Sequence, residues 1–503
     1  MRDAPSATAT VGYTPRVKRA FWWWAVVSVA ALGLRVVLLW VSPRWGFPAD
    51  HDQFVRWAIQ ATDYGVLTVY DRPPPRWNIR DWWAAQRAWV IIQRPFDERC
   101  NYPPLSVYLL YLTGLVFKWV SPDRLINTPL SHGVFSSWSI AADFLLAVGC
   151  AALVRRYRPG RAPFWTFAAV LFAPPIWWDT AVWGQVDSSL LAAAVWMLWA
   201  ILEHRWAAAG LLFGVAAGLK PQAVLFLPLW GMVIVTARPV WKPVLALLLG
   251  AAVTAAAALP FFWQSGLAWW RASYVENIVP EDSFTTLAAF NLWYVDLLRC
   301  GSVDATVRWL GVTKAAWGKV LLGAALLAGF AWLWRRWRGD PRGYVVWALL
   351  SLLACALLPT GVHERYVVLF LPFLLVAAAW YPRLRRVAVL WMFVMMCQLT
   401  WPHWIKTAPN QWEDRARREV IRQYQARRAT LSPAQRQTAP SLDEFLRRAH
   451  QEFLRGRARS VWFEQVVLAA ALFGAVVTVA QVVALKPERG QSHRSAGARP
   501  RPA

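Results

Sequence analysis

The stretch FWWWAVVSVAALGLRVVLLWV, residues 21–41, is long and apolar enough to cross a bilayer as one helix. Similar stretches recur along nearly the whole chain, and the clearest of the others are residues 132–154, 240–262, 317–334, 344–358, 366–381, 387–401 and 461–485. Hydrophobic residues make up 57% of the 503 positions and charged residues only 16%. A typical soluble protein carries about 25% charged residues. The sequence therefore predicts an all-α polytopic membrane protein, with the first apolar stretch retained as a span rather than cleaved as a signal peptide.

The formal net charge of +26 suggests nucleic-acid binding in a soluble protein, but the positions of the basic residues favour another explanation. They gather in short loops between the apolar stretches and in two tails, at residues 16–19, 155–161, 335–338, 383–386 and 486–494. This distribution is typical of cytoplasmic loops. We therefore predict no nucleic-acid partner, a basic cytoplasmic tail at residues 1–20, and a basic, disordered cytoplasmic tail at residues 486–503.

Assigning the basic loops to the cytoplasm produces a nearly consistent topology. Residues 42–103 become a large first external loop, residues 403–460 an Arg-rich helical external insertion, and residues 461–485 the last span. One step fails. Residues 104–120 begin outside, so if they crossed the membrane the next span would begin inside. That span must instead begin outside to keep the basic loop at residues 155–161 in the cytoplasm. Either residues 104–120 form a re-entrant or interfacial helix, which we favour, or the basic loop at residues 155–161 breaks the rule.

In this topology nearly every polar cluster embedded in apolar sequence lies on the external side. Placing a polar group at membrane depth costs several kcal/mol of free energy unless the group lines a polar cavity. Scattered clusters on one side therefore predict a shared cavity that opens to the external face. We expect Asp50, Lys220, Asn291, His363 and Arg365 to surround it, with Asp50 about 7–12 Å from the Arg365 guanidinium.

The first polar cluster is Asp50-His51-Asp52, followed by apolar residues at helical spacing that predict an interfacial helix beginning near Asp50. Acids at a helix N-terminus are also explained by capping and by the helix dipole. The functional interpretation is that Asp50 is a general base, which removes the proton from an acceptor hydroxyl. The two carboxylates could instead hold a divalent metal, but a single D-x-D is weak evidence. We predict a site with no metal and no other cofactor.

The other clusters combine cations with amides and acids. Lys220 stands between two short apolar segments, where a lysine is costly unless it meets an anion or reaches the membrane interface. The turn His363-Glu364-Arg365 carries a guanidinium and an imidazole, both suited to binding phosphate. Further polar residues in apolar surroundings are Gln185, Asp187 (which could simply cap the following helix), Gln222 and Asn291.

Six short motifs in this order resemble those of GT-C fold membrane glycosyltransferases. The chain is most similar to bacterial relatives of the second mannosyltransferase of GPI-anchor synthesis and, more distantly, to the dolichyl-phosphate-glucose-dependent glucosyltransferases of the endoplasmic reticulum. The matching elements are D-x3-F-x2-W-A at residues 50–58, N-Y-P-P at 101–104, W-G-Q-x-D-S at 183–188, K-P-Q at 220–222, N-L-W at 291–293 and H-E-R-Y at 363–366. Asn101 departs from the pattern, because many relatives have aspartate there.

The resemblance implies a catalytic domain over residues 21–402 with about 12 transmembrane helices and interfacial helices in its first external loop. It implies an inverting hexosyltransferase, with mannose favoured, that uses a polyprenyl-phosphate sugar as substrate and Asp50 as base. On this interpretation Lys220, His363 and Arg365 bind the donor phosphate. Candidates for contacting sugar hydroxyls or orienting other groups are Asp52, Gln185, Asp187, Gln222, Asn291 and Glu364.

The expected partners are the lipid-linked donor, membrane lipids, and a lipid, glycan or protein acceptor. The composition suggests a bacterial protein, so we expect it in the inner membrane, with the site on the external, periplasmic face that the topology indicates. Two rivals remain, a transporter or flippase for a lipid-linked glycan and a non-catalytic membrane scaffold. The sequence identifies neither the sugar nor the acceptor. The sequence also leaves open whether Cys100 and Cys300 form a disulfide. We favour the alternative that they are two unrelated thiols.

Overall fold

The computed structural model describes residues 15–71, 99–275, 285–295, 298, 305–404, 417–432, 435 and 439–487. The described chain is mostly helical, and a small antiparallel hairpin joins β1 (Arg308–Trp309) to β2 (Val312–Thr313). The helices of ten or more residues are α1 (Pro15–Trp45), α2 (Pro48–Asp63), α3 (Pro104–Val120), α4 (Pro129–Tyr157), α5 (Ala162–Leu171), α6 (Asp187–Leu202), α7 (Trp206–Leu219), α8 (Leu227–Thr236), α9 (Trp241–Ser265), α10 (Lys314–Arg336), α11 (Arg342–Leu357), α12 (Leu371–Trp380), α13 (Leu384–Trp404), α14 (Arg417–Thr430) and α15 (Leu442–Val483). Shorter helical turns connect several of them.

Five described helices are long and apolar enough to cross a membrane, judged by length and composition. They are Trp22–Trp45, Pro129–Tyr157, Trp241–Ser265, Lys314–Arg336 and Trp462–Val483. Shorter apolar helices follow at Pro104–Val120, Ala162–Leu171, Asp187–Leu202, Trp206–Leu219, Pro221–Thr236 and Arg342–Leu357. The protein is therefore an all-α membrane protein, and the predicted number of about 12 spans stays a prediction.

The predicted basic loops meet at one end of the helix bundle, here called the basic end. Arg158 Nη1 donates to the Ala379 carbonyl at 2.5 Å, and Arg336 Nε donates to the Leu485 carbonyl at 3.1 Å. The opposite, polar end is formed by residues 42–51, 101–106, 126–132, 179–187, 219–222 and 357–365, which are joined by hydrogen bonds and ion pairs. The fold therefore separates the basic loops from the polar clusters, as the topology requires.

Helix α3 begins and ends beside residues of the polar end. Near its start, Ser106 Oγ donates to the Leu219 carbonyl at 2.6 Å. Just after its end, the Ile126 carbonyl accepts from His51, and Asn127 Nδ2 donates to the Pro43 carbonyl at 3.2 Å. The chain therefore leaves the polar end and returns to it between residues 104 and 127. This geometry supports an interfacial or re-entrant helix, the alternative favoured from the sequence.

The two predicted segments outside the membrane domain are described in part. In the loop at residues 42–103 the structure describes α2 and the 3₁₀ turn Val66–Tyr70, but residues 72–98 lie outside the described residues. In the insertion at residues 403–460 the described part is mostly helical, and α15 continues from the insertion into the last candidate span without a break. The tails at residues 1–14 and 488–503, and Cys300, also lie outside the described residues.

A buried ion pair joins α1 to α4 in the middle of the bundle. Arg35 Nε donates to Asp143 Oδ2 at 2.7 Å, and neither side chain is accessible to solvent. Arg35 Nη1 also donates to the carbonyls of Ala31 and Leu171, each at 3.1 Å, and Thr180 Oγ1 donates to Asp143 at 2.8 Å. Because unpaired charges are costly at this depth, each residue of this pair requires the other.

A buried histidine pair fixes the start of α2 against α4. The rings of His51 and His132 stack with centroids 3.7 Å apart. His51 Nε2 donates to the Ile126 carbonyl at 2.9 Å, and His132 Nδ1 lies 2.6 Å from Ser42 Oγ. Burial lowers the pKa of His51 to about 4, although its hydrogen bond to Ile126 opposes that shift. His51 therefore stays uncharged in the folded protein over the physiological pH range.

Acidification is expected to destabilise the fold through His51. Above a pH of about 6.5 the ring is neutral in the folded and unfolded chains alike, so its contribution to stability is constant. As the pH falls toward 4, only the unfolded chain takes up the proton, which costs the fold on the order of 3 kcal/mol. Thermal unfolding of the purified protein in detergent, followed across this range, measures the effect. The pH dependence of stability should weaken in His51→Gln. It should not weaken in the control His204→Gln, because His204 is exposed at the basic end. An equal pH dependence of stability in both variants would contradict the role of His51.

Candidate active site

Three elements that are distant in sequence bring Asp50, Gln185 and Arg365 into contact. Asp50 lies in the first turn of α2, Gln185 in the loop before α6, and Arg365 in the 3₁₀ helix Glu364–Phe370. Arg365 Nη1 lies 3.1 Å from Asp50 Oδ2, and Gln185 Nε2 donates to the same oxygen. Trp183 Nε1 also donates to it at 3.0 Å. The predicted convergence of the first-loop acid with the H-E-R turn is therefore present in the fold.

The two oxygens of the Asp50 carboxylate are used differently. Oδ2 accepts from Trp183, Gln185 and Arg365, whereas Oδ1 accepts no hydrogen bond from the described part of the chain. The side chain is 20% exposed. It does not cap α2, whose N-cap is Phe47 and makes no side-chain bond. Asp50 is therefore a carboxylate that is fixed through one oxygen while the other oxygen faces an accessible space.

Lys220 and Asp187 form a second, fully buried ion pair. Lys220 Nζ lies 2.5 Å from Asp187 Oδ1, and both side chains are almost inaccessible to solvent. Lys220 therefore does not reach the membrane interface, and Asp187 does not cap α6, which has no side-chain cap. Lys220 also interacts electrostatically with Arg365, so the two ion pairs belong to one charged cluster.

The structure corrects one distance. A separation of about 7–12 Å was expected between Asp50 and the Arg365 guanidinium, whereas the two groups are in direct contact. The expectation left room for a sugar ring between base and phosphate. In the structure the guanidinium instead bonds to the nearest carboxylate, which is the strong pairing expected of opposite charges.

Several buried polar atoms around this cluster make no hydrogen bond to any described residue. They are Arg365 Nε, Asp187 Oδ2, Gln222 Oε1 and both carboxyl oxygens of Asp179. Buried polar atoms usually have a partner, because leaving one unpaired costs about 1–3 kcal/mol. The unpaired atoms beside Lys220 and Arg365 are suited to hydrogen bonds with a polar ligand.

The segment at residues 285–293 packs against the turn at residues 363–365 and helps to hold it in place. Glu364 N donates to the Leu287 carbonyl at 3.2 Å, and Gln398 Nε2 donates to the Glu364 carbonyl. Asn291 is fully buried, and its Oδ1 accepts from the backbone N–H groups of Trp293 and Tyr294, both at 3.1 Å. Asn291 therefore fixes its own turn and does not contact the Asp50 cluster. His363 Nδ1 lies 3.8 Å from Glu364 Oε2, which is a loose contact.

The acids of the D-x-D element do not converge on one point. Asp50 pairs with Arg365, and Asp52 pairs with Arg56 one turn along α2. His51 turns toward Ile126 and Ser131. The three side chains thus bind three different sets of partners and do not form a chelate in this arrangement.

Sequence reasoning missed several residues that complete the cluster. Tyr102 donates to Gln185 Oε1 at 3.3 Å, which orients the amide whose nitrogen bonds to Asp50. Gln222 Nε2 donates to Tyr366 Oη at 2.7 Å. Both tyrosines and Trp183 lie inside the six motifs, so the motif positions offered a signal. Asp179 lies in none of them, and only its position at the end of an apolar stretch marked it.

A fixed carboxylate beside a buried lysine and a partly exposed arginine, at one end of a helical membrane domain, is suited to group transfer between a hydroxyl and a phosphate-linked donor. Residues 101–363 match the model of glycosyltransferase family 87, a family of GT-C-like membrane glycosyltransferases. The match covers just over half of the chain, so this protein belongs to glycosyltransferase family 87. A comparison with curated proteins finds no match. The predicted glycosyltransferase class is confirmed, and the more specific relatives stay a prediction.

Proposed function

We propose that this protein is an inverting hexosyltransferase that moves a sugar, with mannose the favoured one, from a polyprenyl-phosphate carrier to an acceptor hydroxyl. The observation that carries the proposal is the Asp50 carboxylate, held through Oδ2 by three donors with Oδ1 open. A general base needs this combination of a fixed orientation and one available oxygen. The family membership supports the class of reaction.

The proposed reaction is a single displacement at the anomeric carbon. Asp50 Oδ1 takes the proton from the acceptor hydroxyl as its oxygen forms a bond to the anomeric carbon from one face. The bond between that carbon and the phosphate oxygen breaks on the other face, and its electron pair stays with the lipid phosphate. The products are the glycosylated acceptor, a protonated Asp50 and a polyprenyl phosphate with one additional negative charge.

Lys220 and Arg365 are the groups that stabilise this charge. Lys220 is buried and the Arg365 side chain is only 14% exposed, and an ionic interaction between groups withdrawn from water is stronger than the same interaction in bulk water. Arg365 Nε, which has no partner among the described residues, is available to a phosphate oxygen. Binding of the donor phosphate also competes with Asp50 for the guanidinium. His363 is a weaker candidate for the phosphate, because its side chain is turned toward Glu364.

The remaining polar residues divide into orienting and sugar-binding groups. Gln185 orients Asp50, and Asp187 orients Lys220. Gln222 Oε1, buried and without a partner in the described chain, is suited to accept a hydrogen bond from a sugar hydroxyl. The proposed sugar-binding or orienting roles of Asp52 and Glu364 are supported only by the positions of these residues near Asp50 and Arg365. No metal or other cofactor takes part in the proposed reaction.

An apolar groove near the polar end supports a lipid-linked substrate. It has a volume of about 800 Å³ and lies between the last turns of α1, the middle of α3 and the first turns of α4. Leu39, Leu112 and Leu130 are among its lining residues, and so is Gly133, which follows His132. The groove thus lies close to the start of α2, which carries Asp50. The polar end opposite the basic loops corresponds to the external face, and we propose the bacterial inner membrane with a periplasmic site.

The proposal predicts sugar transfer by the purified protein alone. The protein, reconstituted in vesicles, is incubated with radiolabelled polyprenyl-phosphate-mannose or polyprenyl-phosphate-glucose and a lipid extract as acceptor. Label is expected to move into a new product from one of the two donors, at an unchanged rate when a metal chelator is present. Unlabelled polyprenyl phosphate should inhibit the transfer. If label crosses the vesicle membrane still attached to its carrier and no product forms, the protein is the transporter that the sequence left as a rival.

A further inference from the structure

Asp179 is a buried acid beside the active site that the proposed reaction does not yet use. It lies in the π-helical turn Trp178–Trp183, four residues before Trp183, so the two side chains leave the turn on the same side. Trp183 donates to Asp50, and the Asp179 carbonyl accepts from the Gln185 backbone at 2.8 Å. The turn that positions the catalytic carboxylate therefore also positions Asp179. Isolated π turns of this kind are frequent at functional sites.

The surroundings of the Asp179 carboxyl contain charges, but no described residue forms a hydrogen bond with it. The residue is 1% exposed, and neither oxygen bonds to any residue in the described ranges. The charged groups that face it are Asp143 from α4, Asp187 from α6, Lys220 at the end of α7, and Arg365. Every one of these is already paired, because Asp143 bonds to Arg35, Asp187 to Lys220, and Arg365 to Asp50. Asp179 is therefore an acid without a counter-ion of its own.

An acid in this position keeps its proton. Burying an ionised carboxylate without a partner is very costly, and two neighbouring buried carboxyls do not both ionise. Asp187 is the member of the pair that bonds to a cation, so Asp179 is the member that remains neutral. A neutral carboxyl has one O–H donor, and this donor lacks an acceptor among the described residues.

We propose that Asp179 is a phosphate-binding residue that donates a hydrogen bond, through its protonated carboxyl, to the phosphate of the lipid-linked donor. The inference rests on the proposed function, and it adds a neutral donor to the two cations. The phosphate is the expected acceptor because Lys220 and Arg365, the groups that bind it, are the two cations near Asp179. The bond strengthens as negative charge builds on the phosphate, and the proton stays on Asp179 throughout.

The test compares Asp179→Asn with Asp179→Leu, and polyprenyl phosphate without a sugar is the probe. Asparagine keeps a hydrogen-bond donor and cannot lose a proton, whereas leucine removes the donor. Near neutral pH, Asp179→Asn should bind the probe within about threefold of wild type, and Asp179→Leu about tenfold to a hundredfold more weakly. At alkaline pH the wild-type affinity should fall further than that of Asp179→Asn, because only the wild-type carboxyl ionises and then repels the phosphate.

The outcomes separate this inference from the proposed function. Equal affinities of wild type and Asp179→Leu, or the same alkaline loss in wild type and Asp179→Asn, would overturn the role of Asp179. If Asp179→Leu does not fold, the pH comparison with the nearly isosteric Asp179→Asn decides the question alone. Sugar transfer by the wild-type protein is measured in parallel. Its absence, with probe binding intact, contradicts the proposed function and not the phosphate contact.

Discussion

Asp50→Asn is expected to reduce the turnover rate of sugar transfer by about a hundredfold to ten-thousandfold, the contribution typical of a general base. The amide keeps the size of the carboxylate and loses its basicity. Its oxygen can still accept from Trp183 and Gln185, so the start of α2 should stay in place. Steady-state kinetics with the labelled donor measure the loss. Thermal unfolding of the same preparation shows whether the variant is folded.

Asp52→Asn is the matched control for this experiment. It removes a carboxylate two residues away on the same helix, whose partner is Arg56 rather than the Asp50 cluster. Its turnover should stay within a few-fold of wild type. If Asp50→Asn keeps more than about a tenth of wild-type activity, equivalent to a barrier change below about 1.4 kcal/mol, Asp50 is not the base.

The sequence predicted that Asp50, Lys220 and Arg365 meet, because the alternation of spans places every second loop at the same end. Asp50, Lys220 and Arg365 lie in such loops, and in the structure they form one charged cluster. The spacing of spans does not determine how the charges pair within that cluster. Pairing depends on the reach of each side chain, so neither the Asp50–Arg365 contact nor the Lys220–Asp187 contact followed from the motifs.

The partners of polar residues inside the spans could not be predicted from the sequence. Arg35 and Asp143 each interrupt an apolar stretch, and a charged residue at that depth predicts a partner without identifying it. Their contact depends on the packing of α1 against α4, which a periodic pattern does not specify. Asn291 is a different case, because an amide in apolar sequence suggested either a contact with a sugar hydroxyl or the orientation of other groups, and in the structure its Oδ1 accepts from the backbone of its own turn.

Lys220→Gln is expected to have the second large effect, on both stability and activity. Removing the lysine leaves the buried Asp187 carboxylate without a cation, and breaking a buried pair in this way costs about 3–5 kcal/mol. Thermal unfolding in detergent should therefore show a marked loss of stability. Loss of activity in this variant alone would not distinguish a damaged fold from a missing phosphate ligand.

The double variant Lys220→Gln/Asp187→Asn separates the two effects. It removes both charges and allows the two amides to hydrogen-bond, so stability should return to within about 1–2 kcal/mol of wild type. Transfer should remain at least about a hundredfold below wild type, because the cation that stabilises the leaving phosphate is still missing. Asp187→Asn alone keeps that cation and should lose less activity than the double variant. If the double variant recovers both stability and transfer, Lys220 serves only to neutralise Asp187, and the phosphate-binding role then belongs to Arg365 without it.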